Sequence, residues 1–218
     1  MTKRRKMSKV VILTGAGISA ESGIRTFRDA GGLWEGYKIE EVATPEAWER
    51  NPQVVLDFYN ERRKQLHSVS PNAAHAAIAR LDPHFDTVVI TQNVDNLHER
   101  AGSTHIIHLH GELLKARSER YEHLIYDWPG DITLGDQCER GMQLRPHIVW
   151  FGEMVPMLEP AVQEILNADI ILVVGSSMQV YPAAGLVAYA PMHAMIYYID
   201  PKPTINYELS RRANLEVI

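Results

Sequence analysis

The run Thr91-Gln92-Asn93-Val94-Asp95-Asn96-Leu97-His98 and the later Leu109-His110-Gly111 carry three side chains with complementary chemistry. Asn93 offers an amide that both donates and accepts, Asp95 a carboxylate, and His110 an imidazole that can take a proton near neutral pH. Thr87-Val88-Val89-Ile90 and His105-Ile106-Ile107-His108-Leu109 precede them and read as apolar strands. The groups therefore fall at the ends of two neighbouring strands, where an open α/β sheet holds its ligand. Alternation puts His108 and His110 on one face, with His110 last. Blander readings stay open: Asn93 or Asp95 as the cap of a helix starting near Val94, and a structural role for one histidine among ten.

Near the start, Gly15-Ala16-Gly17-Ile18-Ser19-Ala20 follows the apolar run Val10 to Leu13 and fits a GxGxxA dinucleotide fingerprint, whose glycines let backbone approach a pyrophosphate. A plain strand-to-helix turn is the alternative. A dehydrogenase needs a second strand ending in an acidic residue some twenty positions on. Here Gly23-Ile24-Arg25-Thr26-Phe27-Arg28-Asp29-Ala30-Gly31-Gly32-Leu33-Trp34 is a polar loop, which disfavours hydride transfer. Such a loop can close over a nucleotide, with Phe27 excluding water and Arg28 near phosphate. A third element, Gly175-Ser176-Ser177, ends the run Asp169 to Val174 and offers hydroxyls and N–H groups, with Pro182 opening a helix beyond.

Strands buried on both faces and alternating with helices predict an α/β fold, a doubly wound parallel sheet of Rossmann-like type. Met195 to Ile199 is a later strand, and Asn214 to Ile218 reads as a last one, after which a closing helix is expected. Thr44-Pro45, Asn51-Pro52 and Ser70-Pro71 each offer an N-cap followed by a proline in the first turn. They predict helices from Pro52 to about His67 and from Asn72 to Leu81. The Rossmann-like part then comprises residues 8–35, 84–111 and 146–218. Two insertions, 36–83 and 112–145, form a small subdomain, with the binding cleft between it and the sheet.

The chain of 218 residues is 45% hydrophobic and 22% charged, which accommodates a single catalytic domain. A net charge of -5 gives no reason to expect nucleic acid, despite the basic tail Met1-Thr2-Lys3-Arg4-Arg5-Lys6. The apolar run after that tail is too short for a signal peptide, and no segment has the length of a membrane span. A lone Cys138 excludes internal disulfides and fits a cytoplasmic location. A monomer is expected.

The segments GAGIS, GIRTFRDAGGLW, TQNVDNLHERAG, HLHG, IVWFGE and GSSMQVYPAAG occur in the order found in the sirtuins, a family of NAD-dependent protein deacylases. The resemblance covers about Val10 to Pro201. It implies that the amide oxygen of an acyl-lysine attacks NAD, that nicotinamide leaves, and that His110 acts as general base on a ribose hydroxyl, giving O-acyl-ADP-ribose. It assigns Asn93 and Asp95 to the catalytic site with His110. To the cofactor it assigns Gly15, Ala16, Gly17, Ser19, Ile24, Phe27, Arg28, Trp34, Gln92, Asn93, Val94, Asp95, Gly175, Ser176 and Ser177. In Ile148 to Glu153, Val149, Phe151 and Gly152 match the segment that pairs with substrate backbone as an added strand. Acyl-lysine proteins are the implied partners. The rivals are a protein ADP-ribosyltransferase on the same scaffold and a non-catalytic module that senses NAD.

Tyr59 and Arg62 stand at i, i+3 on one helix, so both can face one pocket, where a guanidinium and a phenol suit a carboxylate. An amphipathic helix with Arg62 in water is the alternative. The pair resembles the Tyr-x-x-Arg signature of the branch that removes succinyl and malonyl groups, and Ala30 matches its small pocket residue. The resemblance breaks in two places. The paired cysteines that bind structural zinc in the family are missing, so no metal is expected, and Tyr121, Leu124, Ile125, Tyr126 and Trp128 are read as an apolar substitute. Tyr198 occupies the place of an Asn that meets the adenosine ribose.

Overall fold

The computed structural model describes residues 7–25 and 36–218. Phe27, Arg28, Ala30 and Trp34 lie outside the described residues. Strands β1 (Lys9–Thr14), β2 (Asp86–Thr91), β3 (Ile106–His108), β7 (Ile170–Val174), β8 (Met195–Ile199) and β9 (Leu215–Val217) form a parallel sheet in the order β3-β2-β1-β7-β8-β9. The order reverses between β1 and β7, so connections leave in opposite directions there and open a crevice at the strands' carboxyl ends. The expected doubly wound Rossmann-like sheet is present.

Strand alternation distributes the apolar side chains to two cores. Val11, Leu13, Val88, Ile90, Ile171, Val173 and Ile196 meet Ala161 and Ile165 of α6 (Leu158–Leu166), Leu186 and Val187 of a 3-10 segment (Ala183–Tyr189), and Leu209 of α7 (Tyr207–Ser210). Val10, Ile12 and Val89 face the other way, onto Ile18 and onto Ile78 of α4 (Ala73–Ala79). Residues 73–79, counted with the small subdomain in the sequence reading, thus pack on the sheet.

A third core joins α1 (Ile39–Val42), α2 (Pro45–Arg50) and α3 (Pro52–Ser68) to an antiparallel sheet β5-β4-β6, built from β4 (Gly111–Ser118), β5 (Ile125–Asp127) and β6 (Leu144–Ile148). Thr44 and Asn51 cap as expected, accepting from the N–H groups of Ala47 and Val54. Ser70 does not cap. Asn72 does, accepting from Ala74 and His75 while its own amide donates to the Ile18 carbonyl, so tertiary bonding selects the later residue. The helix expected near Val94 starts instead at Leu97 (α5, Leu97–Ala101), where Asp95 Oδ1 accepts from the Leu97 N–H. Tyr121, Leu124, Tyr126 and Trp128 pack against the third core, but Ile125 is exposed, because pairing of β5 with β4 turns alternate residues outward.

Glycine at 15 and 17 also has a reason within the fold itself. The Gly15 and Gly17 N–H groups donate to the carbonyls of Val174 and Gly175, and Ile18 N–H to Gly15, so these donors are spent within the chain. A Cβ on Gly17 would stand 2.7 Å from the Gly175 carbonyl oxygen. The glycines let the β1 and β7 loops touch. Gly17→Ala is expected to destabilise the fold by about 1–3 kcal/mol in urea unfolding, since rigid backbone must shift to admit the methyl group.

Candidate active site

A cavity of about 630 Å³ runs along the carboxyl ends of β1, β2 and β7 and under the small subdomain. It is lined by Gly15, Ala16, Gly17, Ser19 and Ile24, by Gln92 to Asp95, by His110 and by Gly175 to Ser177. Tyr59 and Arg62 line it from α3, and Val149, Phe151 and Gly152 from the segment after β6. Every expected site residue among those described therefore meets the same space.

His110 stands at the joint between the two sheets. Its Nδ1 lies 3.1 Å from the Gln92 carbonyl, and its own carbonyl accepts from the Val149 N–H. Gly111 follows at φ 83°, a conformation that lets the chain turn at once into β4. A carbonyl oxygen only accepts, so Nδ1 carries the proton and Nε2 is the basic nitrogen of the neutral ring. Burial lowers the His110 pKa, partly opposed by the Gln92 bond. The strand proper ends at His108, but Ile107 and Leu109 both enter the first core, so the alternation that sets His108 and His110 apart from them continues past the strand's end. His108 turns to Glu99 at 2.6 Å and to the Asn93 carbonyl; burial lowers its pKa, but these partners outweigh it and the net shift is upward.

Beside His110, Ser19 Oγ donates to Asp95 Oδ2 at 2.9 Å and accepts from Asn93 Nδ2 at 3.1 Å. Burial raises the Asp95 pKa, against the bonds from Leu97 and Ser19. Beneath, the Thr14 hydroxyl donates to Thr91 Oγ1, which also accepts from the Asn93 N–H. With its proton committed, Thr14 accepts from His98 Nε2 at 3.0 Å, and burial holds His98 neutral with a pKa of about 4. Ser176 Oγ accepts from Gln92 Nε2, tying the β2 and β7 loops.

On the far wall, Tyr59 is wholly buried and accepts from Trp150 Nε1, while Arg62 donates to the Phe58 carbonyl and lies over the Phe58 ring. The alternative of Arg62 in open water is excluded, as its side chain is 13% exposed. The Val149 and Phe151 N–H groups donate to the His110 and Ala43 carbonyls, so these two donors are engaged within the chain. Tyr198 does not line the cavity: it is fully buried, with its hydroxyl between the Ser176 carbonyl and the Thr204 N–H. Asp200, Pro201 and Lys202 line it instead. Their position just past the end of β8 was the available signal. Trp150 and Glu153 belong to the IVWFGE run, but nothing in that run foretells the contacts they make, which packing alone supplies. Among the described residues no three His, Cys, Asp or Glu side chains form a metal-binding group, and Cys138 is buried beside the Ser118 hydroxyl.

Fold and site together define a Rossmann-type α/β protein whose crevice is roofed by a small subdomain of helices and an antiparallel sheet. The model of the Sir2 family matches residues 15–182, and the chain belongs to that family. A Helicobacter pylori protein named NAD-dependent protein deacylase is 60% identical over 196 residues, covering 90% of this chain and 84% of the relative. A Bacteroides thetaiotaomicron protein of the same name is 56% identical over 203 residues, covering 90% and 87%. The crystal structure of a Sir2 homolog–NAD complex superposes with a TM-score of 0.86 at 39% identity, covering 97% of this chain and 84% of that one.

The two neighbouring imidazoles are expected to titrate apart. An NMR pH titration of the histidine side chains should place the His110 midpoint below the ordinary value near 6.5 and the His108 midpoint above it, about 6.5 being the free imidazole's. The reverse order would contradict the geometry.

Proposed function

We propose that the protein is an NAD-dependent protein-lysine deacylase that removes succinyl, malonyl and acetyl groups, releasing nicotinamide and O-acyl-ADP-ribose. Support for the enzyme class comes from family membership, from relatives that bear the deacylase name, and from a cavity whose donors and acceptors fit a dinucleotide. The reading rests above all on His110, which lines the cavity with Nδ1 bonded to Gln92 and so has Nε2 as its proton acceptor.

Bound NAD supplies an electrophilic sugar carbon and a leaving nicotinamide. Asn93 and Asp95, oriented by Ser19, hold the carboxamide and neighbouring hydroxyls through directional hydrogen bonds. Once the acyl-lysine amide oxygen has displaced nicotinamide at the sugar carbon, His110 Nε2 would take a proton from the ribose hydroxyl that attacks the acyl carbon. One water then adds at that carbon, the lysine amine leaves protonated, and the acyl group stays on the ribose. Gly175 to Ser177 and the glycine loop border the phosphates, and the residues past Ile148 hold the substrate backbone. Arg62 and Tyr59 meet the distal end of the acyl chain, where a guanidinium and a phenol bind a terminal carboxylate. Residues 36–68 and 111–153 act as the roof that holds the acyl-lysine over the sheet.

Turnover of matched acetyl- and succinyl-lysine peptides tests this. His110→Tyr should lose at least about 100-fold on both, the scale of a missing general base. Arg62→Met should lower the succinyl-to-acetyl ratio of kcat/KM by about 10- to 100-fold, the worth of hydrogen bonds to a charged group. An unchanged ratio removes the carboxylate pocket. Mass analysis should find O-acyl-ADP-ribose; ADP-ribosylated protein in its place would contradict deacylation.

A further inference from the structure

Trp150 has no part in the reading above, yet its indole reaches the phenol of the acyl pocket. Nε1 lies 3.0 Å from Tyr59 Oη, and the two residues are 2% and 0% exposed. An indole N–H can only donate, so the phenol oxygen is the acceptor in this contact and its single proton is directed elsewhere. Burial raises the Tyr59 pKa, which keeps that proton in place. The Tyr59 O–H is thus turned away from Trp150, in a direction from which it donates. A carboxylate accepts only; the methyl end of an acetyl group does neither.

Trp150 itself has little freedom. The Arg145 guanidinium lies 3.2 Å from its ring centroid, and the Trp48 ring packs at 5.9 Å. Its backbone N–H donates to Glu153 Oε2 at 2.8 Å, and Glu153 in turn bridges Arg145 and Arg117 at 2.7 and 3.1 Å. An ion-paired knot in the small subdomain therefore fixes the direction of one N–H at the cavity wall.

We propose that Trp150 is a positioning residue for substrate choice: its Nε1–H fixes the Tyr59 hydroxyl as a donor, which favours acyl groups ending in a carboxylate over those ending in a methyl. This rests on the assignment of Tyr59 and Arg62 to the acyl terminus.

The test compares kcat/KM for matched succinyl- and acetyl-lysine peptides in wild type, Trp150→Phe, Tyr59→Phe and the double variant. Trp150→Phe keeps an aromatic ring for Arg145 to stack on and removes the N–H. It should lower the succinyl-to-acetyl ratio about fivefold, as one neutral hydrogen bond warrants, mainly through KM of the succinyl peptide. In the Tyr59→Phe background it should change the ratio by less than about twofold, because the two substitutions then remove the same interaction. An unchanged ratio in the single variant, or an equal drop in both backgrounds, overturns the proposal. If Trp150→Phe fails to fold, benzothienylalanine at position 150, with sulfur in place of N–H at nearly the same shape, carries the same comparison. A wild type inert toward the succinyl peptide, or an Arg62→Met variant with its ratio unchanged, refutes the carboxylate pocket itself and is recognisable without the Trp150 variants.

Discussion

The hydrogen bond between the Gln92 carbonyl and His110 Nδ1 is the contact on which the site depends. It fixes the imidazole tautomer, and it does so through backbone, whose position is set by the parallel register of β2 against β1 and β3. The same residue ties the two sheets, since its carbonyl accepts from Val149. A shift of β2 by one residue would replace Gln92 at this spot and reverse the faces of Val88 and Ile90. The cores on both sides of the sheet therefore hold the tautomer indirectly.

Around that contact the protein buries polar groups in connected sets. Ser19, Asn93 and Asp95 satisfy one another, and Thr14, Thr91 and His98 form a chain in which each hydroxyl has a defined donor. Each such bond adds only about 1 kcal/mol net, but leaving one buried member without its partner costs about 1–3 kcal/mol. The arrangement is therefore directional. It presents an amide and a carboxylate to the cavity in a fixed orientation while His98 stays neutral beneath them. Glu153 does the same for the opposite wall: burial pushes its carboxyl pKa up, and the Arg145 and Arg117 guanidinia more than offset this.

The doubly wound parallel sheet, the crevice and the two capped helices were legible because they follow from local pattern: apolar runs, Thr44 and Asn51 before proline, and a glycine turn after β1. The reach of Tyr59 and Arg62 to a common pocket was likewise readable from helical spacing. What escaped depends on partners distant in the chain. Asn72 caps in place of Ser70 because its amide also bonds to Ile18, 54 positions away. Gly17 is needed by Gly175, not by a phosphate alone. Tyr198, which stands where the family offers an Asn to the adenosine ribose, bonds instead to the Ser176 carbonyl and the Thr204 N–H. Trp150 looked like one member of a substrate-binding run, and only the folded chain brings its indole to Tyr59.

The most direct measurement is a nitrogen-detected NMR spectrum of His110 in the protein, with and without ADP-ribose, above the titration midpoint of the ring. The account expects Nδ1 to be the protonated, pyrrole-type nitrogen throughout, and Nε2 a pyridine-type nitrogen whose signal moves when ADP-ribose binds. A pyridine-type Nδ1, or an Nε2 signal indifferent to saturating ADP-ribose, would contradict it.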